Sequence, residues 1–233
     1  MTELWHLDEV SHAGQEHLDT AYVAGYDRKA QFDPTADIQH LVGFGLSTES
    51  NVIDFGAGTG SFALAVAPLC HTVFAVDPSP AMVAYLHAAV AQSGVENVTV
   101  VQGGFLSYQH HAAPVDFIFT RNALHHLPDF WKVQALAKLH ALLAPHGILR
   151  LRDLFYDFEP TETEEKLQAW FAGAVADAAE GWTAAELAEH VRLEHSTFSW
   201  LFEQMLARTG FEVIDRTYQR EIYGAYSCRV SDW

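Results

Sequence analysis

Short apolar runs alternate with longer helical stretches through the middle of the chain. Asn51-Val-Ile-Asp-Phe55, His71 to Val76, Val98 to Gln102, Asp116 to Thr120 and Gly147 to Asp153 read as strands. Between them, Phe62 to Leu69, Pro80 to Ser93 and Pro128 to Leu143 read as helices, the last closed by Pro145-His-Gly147. This rhythm predicts an α/β domain with a mostly parallel sheet and helices on both faces.

The flanks depart from the rhythm. Asp19 to Leu46 reads as helical, with a break at Asp33-Pro34. Asp157 to His195 is acidic, helical and rich in alanine and glutamate, and Thr183 with Glu186 forms a capping-box pattern that starts a helix. Ser196 to Arg208 reads as a further helix stopped by Gly210, and Phe211 to Thr217 and Tyr223 to Val230 as two final strands. No internal repeat or low-complexity linker divides the chain, so residues 1–233 are expected to form a single domain.

The strongest local signal is Asp54-Phe-Gly56-Ala57-Gly58-Thr-Gly60, placed after a strand and before a helix. Glycines there let the backbone turn sharply and approach a ligand closely. The spacing is G-x-G-x-G, whereas dinucleotide loops carry G-x-G-x-x-G, and no Walker lysine–serine pair follows. Asp54, two residues before the first glycine, would repel a pyrophosphate yet suits the ammonium of an amino-acid ligand. Asp77 lies about twenty residues past the glycines, at the tip of the neighbouring strand, where a carboxylate can accept ribose hydroxyls. Taken alone, Asp77-Pro-Ser-Pro would instead suit a helix N-cap.

Charge narrows the partners. The 13 basic and 30 acidic side chains give a formal charge of −17, and the basic residues are scattered, which disfavours nucleic acid. Cys70 and Cys228 have no metal-type spacing, so a reduced, cytoplasmic protein is expected. Met1-Thr-Glu-Leu-Trp shows no secretory pattern, and no apolar run is long enough for a bilayer, so no membrane partner is expected.

With these motifs in order, the chain resembles the class I S-adenosylmethionine-dependent methyltransferase superfamily. Residues 51–63 match its glycine motif and 72–86 its ribose-acid segment. Residues 115–128, Val-Asp-Phe-Ile-Phe-Thr-Arg-Asn-Ala-Leu-His-His-Leu-Pro, match its fourth-strand segment, and 147–153 its fifth strand. The similarity runs from about Val10 to Val230. It implies a doubly wound, Rossmann-like, seven-stranded sheet with the last strand antiparallel, an N-terminal helical cap over 10–46, and a helical insertion over 157–195 after strand five. In similar enzymes such extra helices form a lid. Trp170, Phe171, Trp182, Phe198 and Trp200 would then line it, although packing against the sheet weighs more for such a stripe.

The resemblance also implies S-adenosyl-L-methionine as cofactor and S-adenosyl-L-homocysteine as product. Asp54 and Gly56, Ala57, Gly58 and Gly60 would hold the methionine part, and Asp77 the ribose. Pro78 and Met82 would pack near the adenine, and Thr120 and Arg121 would border the cofactor. The family often has an acid after strand three that reads the adenine amino group. This chain has Gly103-Gly104-Phe105-Leu106 there, so backbone groups and the Phe105 ring are expected to replace the acid. Tyr26 either resembles the tyrosine that closes over the cofactor or is a packing aromatic.

Methyl transfer from a sulfonium needs alignment and desolvation, with a base only where the acceptor atom carries a proton. His125 and His126, leaving the fourth strand, are candidates for that base or for acceptor positioning, and loop-fixing hydrogen bonds weigh slightly more for each. Arg121, Arg152 and Asp153 lie at strand ends, where a salt bridge is at least as good a reading. Arg152, Tyr156 and Trp200 are the candidate acceptor contacts. A metal site is not expected: the pairs His110-His111 and His125-His126 are adjacent, and strand neighbours point apart. His190 and His195, five apart, miss one helix face.

The expected activity is methyl transfer to a small-molecule acceptor by a monomer or homodimer. A protein methyltransferase and a cofactor-binding regulator without turnover remain alternatives. The fourth strand has Arg121-Asn-Ala-Leu where amino-directed DNA enzymes carry Asn/Asp-Pro-Pro-aromatic, and no Tyr-x-x-x-Lys pair supports a nicotinamide oxidoreductase.

Overall fold

The computed structural model describes residues 5–231, so Met1-Thr-Glu-Leu lies outside it. The chain begins with α1 (Glu9–His12), α2 (Thr20–Ala30) and α3 (Thr35–Gly43). It continues through β1 (Asn51–Phe55), α4 (Ser61–Val66), β2 (Thr72–Asp77), α5 (Pro80–Ser93), β3 (Val98–Gln102), β4 (Val115–Arg121), α6 (Asp129–Leu142) and β5 (Leu143–Tyr156). It closes with α7 (Thr163–Ala172), α8 (Ala184–Leu193), β6 (Thr197–Phe198), α9 (Ser199–Arg208), β7 (Phe211–Gln219) and β8 (Tyr223–Val230).

Period-two alternation sorts the strand side chains onto two buried faces. Val52, Phe117, Phe119 and Ile148 pack with Leu41 of α3 and with Phe62 and Val66 of α4. Ile53, Phe55, Ile118, Leu149 and Leu151 pack on the other face with Leu136 and Leu139 of α6 and Phe202 and Leu206 of α9. A third cluster, with Leu154, Phe158, Trp170, Leu187 and Ile222, joins the inserted helices to the end of β5.

The strand order is β3-β2-β1-β4-β5-β8-β7. β1 pairs in parallel with both β2 and β4, and β8 runs antiparallel between β5 and β7. The order reverses between β1 and β4, which opens a crevice at their carboxyl ends.

The largest differences from the sequence reading lie around β5 and β6. The sheet has eight strands, not seven, because Thr197 and Phe198 extend and pair with Phe155 and Tyr156. The helix expected from Ser196 therefore starts at Ser199, whose Oγ donates to Asp157 Oδ1 at 2.7 Å. β5 begins at Leu143 rather than Gly147, since Leu143 pairs with Val115 before the register shifts. Among the described residues no helix is long and apolar enough to cross a membrane.

Candidate active site

The glycine loop leaves β1 with φ of +69° at Gly56, +55° at Gly58 and +94° at Gly60. Side chains are excluded at two of these for packing reasons. A Cβ on Gly56 would lie 2.5 Å from Ala123 Cβ, and one on Gly60 2.3 Å from Leu86 Cδ1. At Gly58 a Cβ would meet nothing within 4 Å, so this backbone turns a bare face to the cleft. The Gly56 and Ala57 amides donate to Val76 O at 2.9 and 3.1 Å, which ties the loop to the end of β2.

Asp77 fixes the other wall. Its Oδ2 accepts from Gly58 N and its Oδ1 from Ser79 N, both at 2.9 Å. The helix N-cap is Ser79 rather than Asp77: its Oγ accepts from Met82 N at 3.1 Å and donates to His17 O at 2.6 Å. Burial pushes the Asp77 carboxyl up to about 6, against the pull of the two amides. Burial, and then the charge of Asp77, push Asp54 up to about 8. Asp54 Oδ2 is buried with no hydrogen-bond partner among the described residues.

The cleft at this crevice has a volume of about 70 Å³. It is bordered by Gly56, Gly58, Asp77, Pro78, Met82, Gly104, Phe105, Arg121 and Tyr26, all singled out from the sequence. Four other candidates do not border it. Asp54 and Thr120 sit inside β1 and β4 at 2% and 1% exposure, Ala57 packs into the core, and Gly60 abuts Leu86. Arg121 lies over the Phe32 ring, 4.1 Å from its centroid.

Glu9 was not visible as a site residue in the sequence. Its carboxylate accepts from Leu106 N at 2.9 Å, Ser107 N at 2.8 Å and Ser107 Oγ at 2.7 Å. A Cβ on Gly104 would lie 2.4 Å from Glu9 Oε1. The N-terminal segment thus delivers an acid to the place where an acidic side chain after β3 would begin.

A second cavity of about 670 Å³ adjoins the cleft. The two share His12, His17, Tyr26, Asn122 and His126. The large cavity is also lined by His125, His190, Glu194 and His195, and by Trp182 and Tyr223. His125 and His126 lie in a 3-10 turn (Leu124–His126), not on a strand, and their ring centroids are 4.3 Å apart. The strand geometry behind the expectation of no metal is therefore not the geometry found.

Buried Asp153 organises this turn. Its Oδ1 meets His125 Nδ1 at 2.5 Å, while its Oδ2 accepts from Leu124 N and His125 N at 2.8 and 3.1 Å. Against the cost of burying both, each partner holds the other charged: the His125 pKa is raised and the Asp153 pKa lowered. His126 Nδ1 meets Glu194 Oε2 at 2.9 Å. Burial and the charge of His125 push His190 down to about 4.

Arg152, Tyr156 and Trp200 line neither cavity. Arg152 is drawn to Asp37 Oδ2 at 2.6 Å, fastening α3 to β5. Tyr156 packs beside Phe158 and Phe198, and Trp200 stacks on Phe198 while 49% exposed. Of the insertion's aromatics, Trp170, Phe171 and Trp182 all pack with the third cluster, and Trp182 also reaches the large cavity.

The family described as "Methyltransferase domain" matches residues 52–147. An uncharacterized methyltransferase of Oceanobacillus iheyensis is 29% identical over 111 residues, covering 48% of this chain and 50% of that protein. One from Anoxybacillus flavithermus is 29% identical over 162 residues, covering 70% of this chain and 69% of that protein. Among solved structures, the magnesium protoporphyrin IX methyltransferase of Synechocystis with bound SAM shares the fold, with a TM-score of 0.66 and 14% identity over 99% of this chain and 100% of that one. The glycine loop lies within the matched segment, and the chain shares the fold of solved S-adenosylmethionine-dependent methyltransferases.

Proposed function

We propose that this protein transfers the methyl group of S-adenosylmethionine to a small-molecule acceptor held in the histidine-lined cavity. The observation that carries the reading is the junction of the two cavities along His12, His17, Tyr26, Asn122 and His126. A cofactor beside the glycine loop and an acceptor in the larger space would meet there. The volume of about 670 Å³ falls within the range of small-molecule sites.

The residues present fit the cofactor. The bare face of Gly58 admits close approach, and buried Asp54 with an unpartnered oxygen beside Asp77 favours a cationic ligand. Gly56 and Gly58 would hold the methionine part and Asp77 the ribose, with Pro78, Met82 and Phe105 around the adenine. Glu9 stands in for the acid missing after β3 and reads the adenine amino group. When bound, the cofactor supplies an activated methyl on a positively charged sulfur. The chain's own task is then to align the acceptor and keep water out. His125, fixed by Asp153, and His126, fixed by Glu194, position the acceptor. The N-terminal cap over 10–46 and the insertion over 157–195 cover it as lids, since α1, α2 and α8 contribute His12, Tyr26 and His190 to its walls.

Calorimetric titration with S-adenosylhomocysteine tests this reading. Asp77→Asn should weaken binding roughly 30-fold, the equivalent of about 2 kcal/mol for hydrogen bonds to a charged group. Glu9→Gln should erode the preference over the inosine analogue, which lacks the adenine amino group. Absence of binding by the intact protein would overturn the proposal. Binding with no methylated product across amine, hydroxyl, thiol and carboxylate acceptors would leave a cofactor-binding regulator in its place.

A further inference from the structure

Two imidazoles and a carboxylate meet on the wall of the large cavity. His125, His126 and Glu194 each offer a donor atom, and these atoms all lie within 4.8 Å of one another. They come from two distant parts of the chain, the turn after β4 and the residue after α8. We propose that the three bind a divalent transition-metal ion. As a site for the methyl acceptor, the ion rests on the function proposed above; as a metal site it stands alone.

Three features of the geometry support the assignment. First, His125 gives its Nδ1 to the buried carboxylate of Asp153, which leaves Nε2 as its ligating atom. Ligating histidines are commonly oriented by such a carboxylate on the opposite ring nitrogen. Second, His126 Nδ1 and Glu194 Oε2 are 2.9 Å apart, close enough for one proton to bridge them. A metal ion takes that proton's place between the same two atoms. Third, a donor set of two imidazoles and one carboxylate suits zinc-like ions and leaves a fourth position open. That position opens into the cavity, where an acceptor's oxygen, nitrogen or sulfur can bind. His190 lies beside the group, its ring centroid 4.9 Å from that of His125, with its Nε2 on Ser196 Oγ at 2.8 Å.

The charge balance also fits. A divalent ion adds positive charge where Asp153 and Glu194 face the two imidazoles, in a protein whose formal charge is −17. On binding, the ion would take the place of the Nε2 proton of His125 and of the proton between His126 and Glu194, releasing both to solvent, and would tighten the contact between the insertion and the central sheet.

The test is titration of chelator-stripped full-length protein with Co²⁺, followed by visible absorption and calorimetry. The wild type should bind one equivalent tightly and show the intense ligand-field bands of low-coordinate cobalt. The paired substitution His126→Ala and Glu194→Gln should abolish that equivalent and those bands. Asp153→Asn should weaken binding about 10- to 100-fold, as loss of an orienting carboxylate does. His71→Ala with His87→Ala, both exposed and remote from the cavity, should leave the tight equivalent in place. S-adenosylhomocysteine affinity and the melting temperature are read on the same samples. Absence of a stoichiometric tight site in the wild type would overturn the metal assignment. So would its survival in the His126–Glu194 pair, or its loss with His71 and His87. A metal site present without S-adenosylhomocysteine binding would instead overturn the methyl-transfer reading alone.

Discussion

Asp54 bears a burial cost that none of the described residues relieves at its Oδ2. A carboxyl with one oxygen unpartnered among the described residues, beside a second buried acid, holds its proton up to about pH 8. The sign follows from linkage. Because its folded pKa lies above the unfolded value, the native state binds more protons, and stability falls as pH rises from about 4 toward 8. A ligand with a positive group nearby pulls that pKa down. Binding should therefore expel a proton and strengthen as pH rises toward 8. At about pH 6.5 the ligand's own α-ammonium is charged, so Asp54 is the main source of the released proton. Calorimetry of S-adenosylhomocysteine in buffers of different ionisation enthalpy should show close to one proton released, and Asp54→Asn should show almost none. Equal heats across buffers would mean that Asp54 is already ionised in the empty protein.

Helix α8 is where local sequence and remote contacts combine. Its start is local: Thr183 Oγ1 accepts from Glu186 N at 3.3 Å, and Glu186 Oε2 accepts from Thr183 N at 2.8 Å. Its placement is not. Lys29 Nζ reaches Glu186 Oε1 at 2.5 Å and lies over the Trp182 ring, and His195 N donates to His125 O at 2.9 Å. Thr183→Ala removes the cap and should cost about 1 kcal/mol, lowering the melting temperature by roughly 2–4 °C. S-adenosylhomocysteine affinity should stay unchanged, because the cap touches the acceptor side only. A fall in that affinity would mean that α8 braces the cofactor cleft as well. The same contrast marks what the sequence could show. The glycine loop, Asp77 and the capping box are short patterns whose partners lie a few residues away or on a neighbouring strand, so they are legible in one chain. β6 exists because Thr197 and Phe198 find the end of β5, and no propensity of two residues announces it. Glu9 reaches Leu106 across 97 residues, and His126 reaches Glu194 across 68. Only the folded topology brings those pairs together. Arg152 and Trp200 show the reverse: strand-end position and aromatic character suggested a site, but Asp37 and Phe198 claimed them for packing.

At the scale of the whole molecule, the net charge of −17 acts on every ligand that approaches the crevice. The field of a strongly charged protein raises the local concentration of oppositely charged ligands, and salt screens that effect. The sulfonium cofactor carries a net positive charge near neutral pH, whereas its demethylated product is a net-neutral zwitterion. The acidic excess acts on the unit charge by which the two differ, so the field should favour cofactor over product at low salt. In the proposed reaction this would help turnover, since the spent product would leave a site that attracts its replacement. Raising the ionic strength from about 0.05 M to about 1 M shrinks the screening length to roughly 3 Å. Cofactor affinity should then fall roughly two- to tenfold while product affinity hardly changes. Titration of both ligands across that salt range checks the expectation. A parallel change in the two affinities would show that discrimination between them comes from direct contacts at the glycine loop, and that the acidic surface serves some purpose other than steering.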